Sequence, residues 1–399
     1  MKPARPLSGR TIWFAGIGGA GLSSYAILAR AWGADVSGWD RFETPYLRHV
    51  RAAGIRVEIS QDPAGQPDGA EIVVSTAFRA AVAGKTRAEF LAELVALQAS
   101  VVVAGTHGKT TTAAMIAFCL DRLGQDPSFL IGGEVAQLGT NARAGTGWLV
   151  VEGDESDRTI ASLRPRMAVV TNVELDHHTT FASLAELEEL FDTWLAQVPQ
   201  VVRGASLAPT AIDLSVPGEH NRRNAACALA ALELMGVEPE GAAAALAEFR
   251  GARRRFERRG TARGATVYDD YAHHPTEIAA SIEAARSEGA GRVLVAFQPH
   301  LFSRTRHLAR DLAQSLTRAD AVCVTEIYPA REAPLPGVTG KLVVDALVEL
   351  RPGMPVGWTP SLDDAVAFLT RRVRAGDIVL TLGAGDIDRA AELVLDGLG

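Results

Sequence analysis

The strongest chemical signal in the sequence is the run Gly105-Thr106-His107-Gly108-Lys109-Thr110-Thr111. Successive backbone N–H groups in such a loop can cradle phosphates, a lysine can reach the β- and γ-phosphate oxygens, and a hydroxyl beside it can meet Mg2+. Gly105, Thr106, Gly108, Lys109, Thr110 and Thr111 therefore read as an ATP-binding loop. It is a short form, because the common phosphate loop has a glycine separated by four residues from its Gly-Lys pair and this chain has Val103 there. Two later runs crowd acids and imidazoles together: Glu152, Asp154, Glu155 and Asp157, then Glu174, Asp176, His177 and His178. Beside a phosphate loop, such groups can hold Mg2+, a hard ion that takes few protein ligands and keeps several waters.

A second glycine pattern, Gly16, Gly18 and Gly21, is followed about twenty residues on by Asp40. Alone it suggests NAD or FAD and an oxidoreductase. The physics asks only for bare backbone and a helix N-terminus near a diphosphate, so a UDP group fits as well. His220-Asn221 and Asn224 open an alanine-rich stretch, where capping is the plain reading and contact with a flat heterocycle such as adenine the functional one. Arg253, Arg254, Arg255, Arg258 and Arg259 form a charged run in which one guanidinium could meet a γ-phosphate. Asp269-Asp270-Tyr271-Ala272-His273-His274-Pro275-Thr276-Glu277 ends a strand and starts a helix, with Pro275 at the favoured first position. Gln298-Pro299-His300, Ser303-Arg304-Thr305 and Gly383-Ala384-Gly385-Asp386-Ile387 add polar groups and a glycine turn at later strand ends.

The elements that must carry these residues alternate strand and helix. TIWFAGIGGAGLSSYAILARAWGADVSGWD reads as a β-α-β unit, continued by a strand at Glu71 to Ala77 and a helix from Arg87 to Gln98. A second series starts with a strand at Ser100 to Ala104, the phosphate loop and a helix to about Gly124. The acidic runs end two buried strands, WLVVE and MAVVT, whose ends should be neighbours. After the alanine-rich helix, GARRRFERRG reads as a linker to a third series with strands ATVYDDYA, RVLVAFQP, AVCVTEIY and DIVLTLGAG. The expectation is an α/β protein of three consecutive α/β domains, at 1–100, 101–250 and 251–399.

Composition agrees with a globular enzyme: 399 residues, 47% apolar and 22% charged. A net charge of −7 leaves no footprint for a nucleic-acid backbone, although local basic pockets can still take small anions. Cys119, Cys227 and Cys323 are about a hundred residues apart, which suggests neither a disulfide framework nor a zinc site. No secretory h-region and no run of eighteen apolar residues is present, so a cytoplasmic chain with no membrane insertion is expected. Nothing in the sequence speaks to oligomeric state.

Taken in order, the blocks GIGGAGLS, AGTHGKTTT, EGDESD, VVTNVELDHH, PGEHNRRNAACA, RRRFERRG, YDDYAHHPTEI, FQPHLFSRT and LTLGAGDI resemble the Mur ligase family from residue 16 to 387. Chance does not place nine blocks in one family's order. The resemblance implies a Rossmann-like N-terminal domain that binds UDP, a P-loop ATPase-like central domain, and a Rossmann-like C-terminal domain that closes over the site. It implies small-molecule partners, namely UDP-N-acetylmuramate, L-alanine and ATP, with Mg2+ as cofactor, and an acyl phosphate that an amine attacks to form the amide. By the same resemblance, Lys109 holds the ATP phosphates, and Thr110, Glu152 and His177 serve metal ions. Asn221 and Asn224 face adenine, Arg255 the phosphates, and Asp270 the ribose or the surroundings of the amino acid. His274, His300 and Arg304 line the amino-acid pocket, where Arg304 could grip the α-carboxylate with two bonds. Gly18, Gly19, Gly21, Ser23 and Asp40 belong to the nucleotide-sugar site.

The chain departs from the family pattern in places. Leu301 stands where relatives with this activity usually have an arginine, which keeps open a sibling reaction with another amine or a preformed murein peptide. Thr179 and Thr180 replace the usual aspartate after the Asp-His pair. The stretch from Val202 to Pro217 and the loop from Phe78 to Arg87 are short, so the central domain should have fewer strands in its subsidiary sheet.

Overall fold

The first sheet follows from short runs of β-branched and aromatic residues separated by glycine turns. In the computed structural model, which describes residues 5–177, 179–330 and 332–399, these are β1 (Thr11–Ala15), β2 (Asp35–Asp40), β3 (Arg56–Ile59), β4 (Glu71–Val74) and β5 (Lys85–Thr86). Helices α1 (Ala20–Ala31), α2 (Leu47–Ala52) and α3 (Arg87–Ala96) connect or follow them. The strand order is β3-β2-β1-β4-β5 and every pair is parallel. Order reverses at β1, so the glycine loop after β1 lies where an open parallel sheet meets ligands.

The second sheet holds β6 (Ser100–Ala104), β7 (Ser128–Val135), β8 (Thr140–Arg143), β9 (Leu149–Glu152), β10 (Met167–Val170) and β11 (Gln200–Arg203). Its helices are α4 (Lys109–Arg122), α5 (Leu184–Leu195), α6 (Glu219–Leu234) and α7 (Pro239–Ala247). The order β11-β10-β6-β9-β7-β8 puts β6 between β9 and β10, so the two acidic strands flank the phosphate-loop strand instead of pairing with each other. β6 is buried along its whole length, as a near-continuous Val run in a parallel sheet should be. α4 is buried from Thr110 to Leu120 without a break, which its Thr, Ala and Cys side chains allow. No strand is described between β11 and α6, in keeping with the short stretch there.

The third sheet comprises β12 (Glu257–Ala262), β13 (Ala265–Asp270), β14 (Val293–Phe297), β15 (Ala321–Val324), β16 (Val356–Trp358) and β17 (Ile378–Leu382). Helices α8 (Pro275–Ser287), α9 (Phe302–Leu316), α10 (Lys341–Leu350), α11 (Leu362–Thr370) and α12 (Asp388–Leu398) cover it in two apolar layers. The order is β12-β13-β17-β14-β15-β16, antiparallel only at β12. Here the linker expectation fails in part: Glu257 to Ala262 is an edge strand with an irregularity between Arg258 and Gly260. Its charged residues misled a composition reading, yet charge on an edge strand is a common guard against pairing with another sheet.

Three α/β sheets thus follow one another along the chain. By compactness the chain forms two units. One takes in Met1–Glu174, Leu184–Ile212 and Arg223–Phe249, with the first and second sheets, and the other Leu175–Ser183, Asp213–Arg222 and Arg250–Gly399, with the third.

Candidate functional site

In the first unit the phosphate loop is tied to the segment after β10. Thr106 N–H donates to the Asn172 carbonyl (3.1 Å) and His107 N–H to Asn172 Oδ1 (2.9 Å). Thr171 Oγ1 donates to the His107 carbonyl (2.6 Å), and Thr106 Oγ1 exchanges bonds with the Glu174 backbone. Thr171 and Asn172 were not singled out from the sequence; the Thr-Asn pair right after a buried strand was the available signal. Gly108 turns the chain with φ +79°, and a Cβ there would collide with the Asn224 amide, so Asn224 from α6 packs directly on the loop.

Lys109 is partly buried, its side chain 21% exposed, and bends back on its own loop. Its Nζ donates to the Gly105 carbonyl (2.5 Å), the Thr106 carbonyl (3.2 Å) and both oxygens of Glu155 (2.9 and 3.1 Å). Burial alone would lower the pKa of this ammonium, but Glu155, helped by Asp154 and Glu152, more than offsets that and holds it above the ordinary lysine value. Glu155, itself buried, is thus the counter-ion of the loop lysine, a role that its place in an acidic run did not distinguish. Thr110 Oγ1 donates to Glu152 Oε2 (2.9 Å), and Glu152 also accepts from Gly132 N–H. Two expected metal-binding oxygens are therefore adjacent. Thr111 is buried on the following helical position.

The glycine loop of the first sheet spends part of its backbone on itself. Gly18 N–H donates to Asp40 Oδ2 (2.7 Å), Asp40 Oδ1 accepts from Arg41 N–H (2.7 Å), and Gly19 N–H donates to the Gly16 carbonyl (3.1 Å). Asp40 braces the loop, and Gly18 must lack a side chain because a Cβ would stand 2.8 Å from that carboxylate and from Thr44 Oγ1. The first N–H groups of α1, from Ala20, Gly21 and Leu22, are the ones at the helix end that suits an anion. Ser23 is buried, and its hydroxyl donates back to the Ala20 carbonyl (3.2 Å).

In the second unit, Arg304 is paired within the protein. Its guanidinium grips Asp176 with two bonds, Nε to Oδ1 and Nη2 to Oδ2, both 3.0 Å, and the side chains are only 4% and 5% exposed. The two-pronged edge expected to meet an amino-acid carboxylate is filled by a protein carboxylate, since a buried guanidinium needs a counter-charge. Asp176 would be raised by burial alone, but Arg304 and His177 hold it well below the ordinary carboxylate range. Arg304 Nη1 also lies 3.1 Å from His300 Nδ1, and His300 stacks on Tyr328 with ring centroids 5.9 Å apart. Burial and then Arg304 push His300 down to about 4. His177 follows Asp176 with φ +56°, a strained value for a non-glycine residue of the kind that gathers at functional sites. His178 lies outside the described residues.

His274 caps α8: its Nδ1 accepts from Thr276 N–H at 3.4 Å, and Glu277 answers from within the helix to the backbone of His273 and His274. Asp270 is buried, accepting from Ser281 Oγ (2.6 Å) and Ala272 N–H (3.0 Å), and burial pushes it up to about 6 despite the Ser281 bond and nearby Arg255. Arg255 lies over the Tyr271 ring, 5.1 Å from its centroid. Within the arginine run, Arg254 donates to Asp269 and to the Gly383 and Gly385 carbonyls, and Arg259 to Glu257 and Glu392. Asn221 Nδ2 donates to the Pro217 carbonyl (2.7 Å) and so braces the turn before α6. Leu301 is the N-cap of α9 with φ +69° and gives its N–H to the Tyr328 carbonyl (3.0 Å).

A lysine-bearing phosphate loop, an acidic strand end beside it and a braced glycine loop thus lie in the first unit. Mur ligase models match residues 11–99 (Mur ligase family, catalytic domain), 103–200 (Mur ligase middle domain) and 254–385 (Mur ligase, glutamate ligase domain). The chain belongs to the Mur ligase family. It is 40% identical to the UDP-N-acetylmuramate–L-alanine ligase of Paenarthrobacter aurescens, with 97% of each chain covered. That alignment runs over 449 positions, more than the 399 residues present, so gaps open in this chain, as short segments require. The crystal structure of the UDP-N-acetylmuramate–alanine ligase of Thermotoga maritima superposes with a TM-score of 0.80 at 26% identity, covering 97% of this chain and 98% of that one. A murein peptide ligase from Psychrobacter arcticus gives 0.66 at 26% identity, with 98% and 99% covered. This Mur ligase is an amide-forming enzyme that uses ATP.

Proposed function

We propose that the chain joins L-alanine to the lactyl carboxylate of UDP-N-acetylmuramate in peptidoglycan precursor synthesis. The observation that carries the chemistry is the phosphate loop: a partly buried lysine kept charged by Glu155, next to a threonine hydroxyl bonded to Glu152. Relatives and solved structures carrying that activity in their names support the substrates.

In this reading ATP lies along Gly105 to Thr111, and Lys109 exchanges loop carbonyls for phosphate oxygens. A lactyl carboxylate oxygen attacks the γ-phosphorus and ADP leaves. The alanine amine then attacks the acyl carbon, a tetrahedral intermediate collapses, and phosphate departs with the carboxylate oxygen while the amine gives up its protons to solvent or a base. Thr110 and Glu152 are hard oxygen donors already in contact, a set that suits Mg2+, with His177 the third group assigned to metal. When bound, the ion supplies positive charge that offsets repulsion between carboxylate and γ-phosphate. Asn221 and Asn224 are assigned to adenine, Arg255 to phosphate charge, and Asp270 to ribose. His274, His300 and Arg304 are assigned to the amino acid, and Gly18, Gly19, Gly21, Ser23 and Asp40 to the UDP group. The domain limits in this reading are 1–100, 101–250 and 251–399. The chain works where the nucleotide sugar and ATP are made, in the cytoplasm, and among the described residues no helix is long and apolar enough to cross a membrane.

Leu301 favours a second reading, in which a different amine or a murein peptide is joined. The position lacks the extra cation, and Arg304 is engaged by Asp176. Phosphate release measured with UDP-N-acetylmuramate, Mg-ATP and, in turn, each common amino acid and a murein peptide separates the two. The proposal expects L-alanine to be fastest. Equal rates with glycine, serine and alanine would remove the specificity, and release only with a peptide would establish the second reading.

A further inference from the structure

The segment that follows β10 holds the phosphate loop by more than backbone pairing. His107 N–H donates to Asn172 Oδ1 (2.9 Å), while the His107 carbonyl accepts from Asn172 Nδ2 (3.0 Å) and from the hydroxyl of buried Thr171 (2.6 Å). One carboxamide thus pairs with both main-chain groups of a single residue, and both lone pairs of that carbonyl are in use. Gly105 permits the approach: its φ is +126°, and a Cβ there would stand 2.3 Å from Thr171 Oγ1 and 2.7 Å from the Asn172 carbonyl oxygen. The two carbonyls before His107, those of Gly105 and Thr106, accept from Lys109 Nζ. Every carbonyl from Gly105 to His107 therefore has a donor, and the N–H groups of Thr106 and His107 are directed at Asn172. The amides placed to cradle an anion begin at Gly108, with φ +79°, and continue into the first turn of α4, whose N–H groups have no acceptor within the helix.

We propose that Asn172 is a positioning residue for ATP: its carboxamide, backed by the Thr171 hydroxyl, fixes the His107 peptide so that Gly108 and Lys109 present their N–H groups to the phosphates. This rests on the functional reading above. A loop without the distant glycine of the common form has fewer residues with which to hold itself, and here a neighbouring strand end supplies the rigidity. Without the latch the His107 peptide can rotate, and an orientation that turns its carbonyl inward sets an oxygen against the phosphates. Fixing the peptide before the nucleotide arrives removes that cost from binding. Two neutral hydrogen bonds are at stake, so loss of the carboxamide should weaken nucleotide binding by about tenfold or more.

Calorimetric titration of the full chain with Mg-ADP and, separately, with UDP-N-acetylmuramate tests this whatever the amino acid is. Asn172→Ala should weaken ADP by about tenfold or more and leave the nucleotide sugar unchanged, which also shows that the variant is folded. Thr171→Val, which keeps the shape and loses the hydroxyl, should weaken ADP by less, and Thr171→Ser should restore it. In turnover Asn172→Ala should raise KM for ATP by the same factor, with KM for L-alanine and kcat at saturating ATP little changed. A merely structural tie would lower the melting temperature and leave ADP affinity, measured well below the transition, as it was. Unchanged ADP affinity in Asn172→Ala, equal weakening of ADP and the sugar, or Thr171→Ser as weak as Thr171→Val would overturn the proposal. Wild-type protein that bound Mg-ADP but released no phosphate with any amine would instead overturn the functional reading, and the ADP titrations would still decide the role of Asn172.

Discussion

Lys109 and Asp270 show how burial sets charge in opposite ways. Lys109 keeps its proton because Glu155 accompanies it, and the phosphate reading makes that ammonium indispensable. Lys109→Ala should abolish ATP turnover while UDP-N-acetylmuramate still binds; turnover surviving the change would remove the loop from the mechanism. Asp270 accepts from Ser281 and has Arg255 nearby, yet burial outweighs both and pushes it up to about 6. The folded state then holds its proton more tightly than the unfolded chain, so its contribution to stability is present below about pH 4 and is lost as pH rises through 6. The difference in melting temperature, Asp270→Asn minus wild type, should therefore grow between pH 4 and 6.5 and then level off. A difference that stayed flat across that range would contradict the buried-acid account. Residue types made Lys109, Thr110 and Glu152 legible in the sequence. They could not reveal that Glu155 pairs with the lysine or that Asp176 fills the Arg304 fork, because both pairings depend on contacts that spacing does not encode.

At the scale of elements, the phosphate loop works because a fully buried strand and a helix buried from Thr110 to Leu120 hold its ends. Gly108 is the hinge of that arrangement, left-handed and pressed against Asn224. Gly108→Ala would add strain of about 1–2 kcal/mol from the backbone and a collision with the amide. It should raise the ATP KM by about tenfold or more, with a lower melting temperature; an unchanged KM would place ATP elsewhere. Most strands and helices were readable from alternating apolar runs and glycine punctuation, including α8 with Pro275 at its first position. Hairpin β7–β8 and the short strands β3, β5 and β16 were not, since they are short or partly exposed. β12 hid behind its arginines: an edge strand needs backbone pairing more than apolar side chains.

Across the whole molecule, three α/β sheets in sequence, a phosphate loop in the second and a glycine loop in the first carry one chemical account, ligation through an acyl phosphate. Motif order along the chain identified the family where composition and net charge only excluded other classes. The least secured part in the sequence was the amino acid, because its recognition turns on Leu301 and Arg304, whose surroundings come from distant segments. The account is tested most directly by following oxygen. UDP-N-acetylmuramate labelled with 18O in the lactyl carboxylate is turned over with ATP, Mg2+ and L-alanine, and the released phosphate is examined by mass spectrometry. Transfer of one carboxylate oxygen from the substrate into inorganic phosphate is the predicted result; phosphate free of label would contradict an acyl phosphate route.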